Sequence, residues 1–134
     1  MNEEKKLILM PLAFVAVMFT ILCCNNNPTQ NKNQMVRLAK LVIDSAQLEN
    51  YNALLNEEIE ASVRLEPGVL TLYAVAEKND PTHITILEIY ADTTAYQSHL
   101  LTPHFIKYKN GTKNMVKSLE LVEMVPLVPG MKIK

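Results

Sequence analysis

Tryptophan is absent from this chain, glycine occurs only three times in 134 residues, and the two cysteines are neighbours, Cys23 and Cys24. Each scarcity excludes something. Three scattered glycines cannot build G-x-x-x-x-G-K or G-x-G-x-x-G, so no glycine-rich phosphate cradle is available. Adjacent cysteines do not staple a fold, and no third cysteine exists to pair with either. The formal net charge is −1, with no basic stripe, which argues against a nucleic-acid partner. What remains is 49% hydrophobic and 20% charged, enough for one domain with a packed core.

The first 24 residues stand apart from that domain. Lys5 and Lys6 precede an 18-residue apolar run, Leu7 to Cys24, which ends in Cys-Cys and three asparagines. A positive start, an apolar run and a terminal cysteine look like a bacterial lipoprotein signal, with Cys24 as the lipidated residue. Pro11 and the short length count against a permanent membrane helix. An uncleaved anchor or an ordinary secretory signal are the alternatives. Residues 25–34, NNNPTQNKNQ, have no apolar periodicity and read as a solvated linker. The domain is expected over residues 35–127 with a loose tail at 128–134, tethered to a membrane in the cell envelope, outside the cytoplasm.

Within 35–127 the pattern alternates between strand and helix periods. Met35–Ile43 reads as a strand with apolar residues on both faces. A helix follows over about 46–65, with Asp44 and Ser45 offering caps and Gln47 placed as a capping-box partner for Asp44. Its buried stripe is Leu48, Tyr51, Leu55, Ile59 and Ser62 or Val63, and its carboxylates read as a solvated face. Glu66-Pro67-Gly68 ends the helix. Strands are expected over 69–77 and 83–91, joined by the turn Lys78–Pro81. A short helix over 95–101, capped by Asp92, Thr93 and Thr94 with Thr94 and Gln97 able to form a capping box, is broken at Thr102-Pro103 and restarts there. The second segment loosens near Asn110-Gly111 and resumes to about Lys117, and a last strand covers 119–127. This is the α+β, ferredoxin-like β-α-β-β-α-β order, a four-stranded antiparallel sheet with helices on one face. Because the strands are apolar on both faces, the open face calls for a partner, and a homodimer through that face is the economical answer.

The stretch richest in chemistry is Glu88–Phe105, EIYADTTAYQSHLLTPHF. Together with Glu66-Pro67-Gly68 it reads E-P-G, then E-x-Y-x-D, then A-x-x-x-H-x-x-x-x-H-F. That pattern resembles the antibiotic biosynthesis monooxygenase family, over about residues 35–127. The resemblance implies a dimeric α/β barrel. It implies chemistry on a small aromatic, quinol-like substrate with no metal, flavin or haem cofactor, although other members isomerise a small phosphorylated signalling molecule, degrade haem or have no known activity. Haem-degrading relatives use an Asn on the first strand and a Trp and a His on the second helix. Here that strand has no Asn, the Trp position falls at His99 and the His position near Lys109. The H-L-x-x-P-H-F run at His99–Phe105 is closer to the quinol-monooxygenase-like branch.

Cofactor-free oxygenation requires a base to deprotonate a phenol, a dry pocket, and a hydrogen-bond donor for the oxyanion. His99 is the first candidate for the acid–base role, followed by Glu88 and His104. Glu88 lies among Ile84, Ile86 and Tyr90 on one strand face, where a carboxylate must pair or shift its pKa. Its alternative is an ion pair with Lys40, Arg37 or the other subunit. His99 and His104 are five apart, about 140° around one unbroken helix, but the break at Thr102-Pro103 lets both reach one cavity. Tyr73, Tyr90, Phe105 and Tyr108 are the candidate substrate contacts, with packing as the alternative. No metal is expected, because no two histidines have ligand spacing on one face and the domain has no cysteine. The rival readings are an isomerase or lyase on a small hydroxy-carbonyl compound and a non-catalytic small-ligand-binding module.

Overall fold

The structure, a computed structural model, describes residues 33–127. The expected signal, Cys24, nearly all of the linker and the tail lie outside the described residues. Among those described, no helix is long and apolar enough to cross a membrane.

Four strands form one antiparallel sheet: β1 (Met35–Ile43), β2 (Val69–Ala76), β3 (His83–Tyr90) and β4 (Val116–Met124). Their order across the sheet is β2-β3-β1-β4, the ferredoxin-like arrangement. Three helices, α1 (Leu48–Leu65), α2 (Thr93–His99) and α3 (Pro103–Thr112), fill the connections. Strand alternation sets the two faces. Arg37, Ala39, Leu41 and Ile43 on β1 and Ile84, Ile86, Glu88 and Tyr90 on β3 turn toward the helices, and most are buried. Val36, Leu38, Leu87 and Ile89 turn the other way with Tyr73, Val75 and Val122, and the described helices leave that face uncovered. The core lies between the first face and α1, where Tyr51 and Leu55 meet Ala39, Leu41, Ile43, Ile84 and Ile86.

Several expected boundaries move, each for a local reason. Asp44 accepts from Ala46 N at 3.1 Å, and Gln47 N bonds to Asp44 O at 2.9 Å, so the first turn is a 3₁₀ turn and α1 begins at Leu48. Asp92, one of the three expected caps, caps α2 by accepting from Ala95 N at 2.8 Å, and the helix starts at Thr93 rather than Ala95. Tight bonds from Leu101 N to Ser98 O and from Thr102 N to His99 O then end it at His99 rather than Leu101. Thr102 caps α3 with Pro103 at its first position, as expected. That helix runs through Gly111 without loosening and stops at Thr112, and β4 begins three residues before Leu119 and ends at Met124. Gly111 serves packing: a Cβ there would stand 2.9 Å from Leu54 Cδ1 on α1.

Gly68 serves packing too. No glycine in the described chain has positive φ. A Cβ on Gly68 would meet Ala95 Cβ at 2.5 Å, so the bare backbone is what lets the start of α2 approach the start of β2. Ala91 N bonding to Gly68 O at 2.8 Å seals that approach. The Glu66 carbonyl accepts from Val69 N at 3.0 Å, which closes the turn and places the Glu66 side chain beside the two later helices.

Candidate active site

Between the helices and the sheet lies a cavity of about 400 Å³. Its floor is the helix-facing side of β1 and β3, including Arg37, Glu88 and Tyr90, and its roof carries Glu58, His99, Phe105 and Tyr108. Leu119 and Leu121 of β4 also line it and remain half exposed, which places its open side along that strand.

His99, the last residue of α2, is buried beside two aromatic rings, with its centroid 4.8 Å from Phe105 and 5.4 Å from Tyr90. Its Nδ1 is 3.0 Å from Glu66 Oε1, and its Nε2 is 3.6 Å from Glu58 Oε1. His104, at the second position of α3, sets its Nε2 2.5 Å from the same Glu66 Oε1. A carboxylate therefore receives both imidazoles, and donation from His99 Nδ1–H leaves Nε2 as the ring nitrogen facing Glu58 and the cavity. Burial alone would raise the Glu66 pKa, but the hydrogen bonds from His104 and His99 outweigh it and hold the carboxyl below its ordinary value. Burial raises the Glu58 pKa, against a 2.7 Å hydrogen bond from Ser62 Oγ and the neighbouring histidines.

On the floor, Glu88 is also raised, chiefly by burial, although Tyr90 donates to its Oε2 at 3.2 Å and the Arg37 charge stands near. The guanidinium of Arg37 lies 4.4 Å from the Tyr96 ring centroid, and its Nη2 is 3.8 Å from Glu123 Oε1. Arg37 Nε has no hydrogen-bond partner among the described residues. Tyr108 and Tyr51 join hydroxyl to hydroxyl at 2.7 Å, and burial raises the pKa of both. Tyr90 is raised too, by burial first and then by the Glu88 charge.

Of the residues expected from sequence, His99, Glu88, Tyr90, Phe105 and Tyr108 all line this cavity. His104 does not; it stands behind His99 on the Glu66 carboxylate. Tyr73 is misplaced as a substrate contact. It pairs across the sheet with Leu87 on the opposite face and is 64% exposed. Two acidic residues were missed. Glu58 does not share the solvated face expected of the α1 carboxylates; it is buried with Tyr51, Leu55 and Ser62 on one side of α1. Its spacing of seven from Tyr51 and three from Leu55 was the available signal. Glu66 was read only as part of a helix-ending turn, although it opens the E-P-G pattern. The geometric ground for expecting no shared ligand face also fails. Because α2 ends before α3 begins, His99 and His104 converge, and with Glu66 their donor atoms lie within 4.8 Å of one another.

The profile of the antibiotic biosynthesis monooxygenase family matches residues 35–111. A Bacteroides thetaiotaomicron protein whose name places it among the antibiotic biosynthesis monooxygenases is 63% identical. Its alignment covers 78% of this chain and 99% of its own, with a TM-score of 0.76. A Lactobacillus acidophilus protein named for a monooxygenase is 30% identical with a TM-score of 0.69. The match covers 70% of this chain but only 45% of that one. A Nitrosomonas europaea protein, 19% identical over 69% of this chain and 98% of its own, shares the fold with a TM-score of 0.66. Comparison with curated proteins gave no match.

Proposed function

This chain belongs to the antibiotic biosynthesis monooxygenase family, and on that premise we propose that its domain is a cofactor-independent monooxygenase for a small quinol or phenolic compound. The observation that carries the reading is the His99–Glu66 pair at the wall of a largely apolar cavity. Glu66 holds the ring by Nδ1, so Nε2 is the atom that takes the phenolic proton. The phenolate gives one electron to O₂, the radical pair joins through a new carbon–oxygen bond, and His99 Nε2–H returns the proton to the peroxide oxygen to give a hydroperoxide. Loss of water from that hydroperoxide leaves one oxygen atom in a quinone and releases the other as H₂O. Closing the substrate off from bulk water favours this sequence. The Tyr90 hydroxyl, which donates to Glu88 at 3.2 Å, is the donor placed to turn toward negative charge on the substrate oxygen.

Oxygen uptake with a panel of hydroquinones tests the reading. Uptake above autoxidation that His99→Ala abolishes is the expected result. Uptake no faster than buffer across the panel sinks the oxygenase reading, and a ligand-induced rise in Tm without turnover would then point to a binding module.

Two further parts belong to the same proposal. The uncovered sheet face, with Leu38, Leu87 and Val122, supports pairing with a second copy. Light scattering that reads the mass of one chain would remove that part. The sequence of residues 1–24 supports a lipoprotein signal with Cys24 modified and the domain held outside the cytoplasm. Incorporation of labelled fatty acid that survives in Cys24→Ser would overturn it.

A further inference from the structure

We propose that Glu66, His99 and His104 form a binding site for a divalent transition-metal ion, set behind the cavity wall. The three donors come from three elements: the residue ending α1, the last residue of α2 and the second of α3. Their donor atoms all lie within 4.8 Å of one another. Around a tetrahedral ion with bonds of about 2.0–2.1 Å, donors stand about 3.3 Å apart. His99 Nδ1 is already 3.0 Å from Glu66 Oε1, and His104 Nε2 is 2.5 Å from it. Binding lengthens the two short contacts to the carboxylate and draws the imidazole nitrogens, which lie within 4.8 Å of one another, to that spacing, and the ion replaces the hydrogens that the imidazoles now share with Oε1.

A second, independent observation is what stands on the far side of His99. A metal on Nδ1 leaves the hydrogen on Nε2, and Nε2 faces the buried Glu58 carboxyl at 3.6 Å, itself held by Ser62. A carboxylate behind a ligating imidazole is the arrangement that orients such ligands and raises their donor strength. The side chains of Glu66 and His104 keep partial exposure while that of His99 is buried, so an ion can enter from solvent and a water can complete its shell. Two imidazole nitrogens and one carboxylate favour zinc or ferrous iron over magnesium or calcium, which take oxygen donors. Binding does not depend on the oxygenase reading.

Isothermal titration of the full-length protein with Zn²⁺ tests the site. The expected result is one zinc per chain, with affinity at least 100-fold weaker in His104→Ala and in Glu66→Gln and unchanged in His83→Ala. Cys23 and Cys24 are present in every protein, so the difference between variants belongs to the three residues. Affinity in His104→Ala within threefold of wild type would overturn the proposal, as would equal binding of Mg²⁺. Should a variant lose its fold, Co²⁺ absorption by the wild-type protein decides instead. A visible band typical of four-coordinate nitrogen and oxygen donors supports the site. A near-ultraviolet thiolate band, or no band, overturns it.

Discussion

Replacing Glu66 by Gln keeps the size of the side chain and removes its charge, which isolates what the carboxylate does. It accepts from His99 Nδ1 at 3.0 Å and from His104 Nε2 at 2.5 Å, in a site where its side chain is only 13% exposed. Hydrogen bonds to a charged partner contribute about 1.5–3 kcal/mol each. A glutamine oxygen can take one of the two N–H groups, while its NH₂ opposes the other, donor against donor. The net loss is therefore about one such bond, about 2 kcal/mol. At about 4–8 °C per kcal/mol for a domain of this size, Tm should fall by about 8–16 °C. The catalytic effect should be larger. Without the anion, His99 and His104 compete for one amide oxygen and the Nδ1–H tautomer of His99 is no longer fixed, and comparable losses of an orienting carboxylate reduce turnover by about 10²–10⁴-fold. Oxygen uptake at saturating and limiting quinol separates the effects: kcat should drop by that factor with KM changed less than about threefold, since Glu66 does not line the cavity. A variant that melts lower but keeps kcat within about threefold of wild type would refute the assignment of Glu66 as the residue that positions the base.

Three other outcomes follow from the same geometry. Burial raises the Glu88 carboxyl above its ordinary value of 4.5, so the folded state holds that proton more tightly than the unfolded chain. The resulting stability is complete below pH 4.5 and is lost as pH rises through the folded-state value. Glu88→Gln should therefore gain Tm relative to wild type increasingly as pH climbs from 4.5 to 8, and a gap that stays flat or closes contradicts the burial argument. Gly68→Ala should destabilise by about 1–3 kcal/mol through the 2.5 Å clash with Ala95 Cβ, and adding Ala95→Gly should recover most of it; denaturant melts showing simple additivity would refute the contact. Saturating Zn²⁺ should suppress quinol-dependent oxygen uptake by moving the His99 hydrogen to Nε2, and a chelator should restore it. Unchanged uptake in a zinc-loaded protein would separate the metal site from the base.

The elements themselves were legible because their causes are local. Met35–Ile43, apolar on both faces, is a strand to the residue, and Thr102-Pro103 caps and opens a helix wherever such a pair falls. The element order, and with it the ferredoxin-like sheet, followed from those signals. The errors in the elements were boundary errors and also local, as at Thr93, where the expected Asp92 cap reaching Ala95 N starts the helix two residues before Ala95.

The site was only half legible. His99, Glu88, Tyr90, Phe105 and Tyr108 were within reach because they fall close together in one stretch of chain that borders the cavity. Tyr73 could not be placed, because its face depends on how β2 registers against β3, and the register shift between Val69 and Thr71 decides that. Glu58 was legible only through its spacing from Tyr51 and Leu55, a signal that its charge outweighed, and the packing of α1 on the sheet put it inside. The sequence by itself determined periodicity, caps and turns, since these act within a few residues. Only the tertiary structure brought Glu66 to His99 and His104, 33 and 38 positions later in the chain. The break at Thr102-Pro103 is written locally, but the meeting also depends on Gly68 letting the start of α2 approach the start of β2, and that approach is not a property of any short window of sequence.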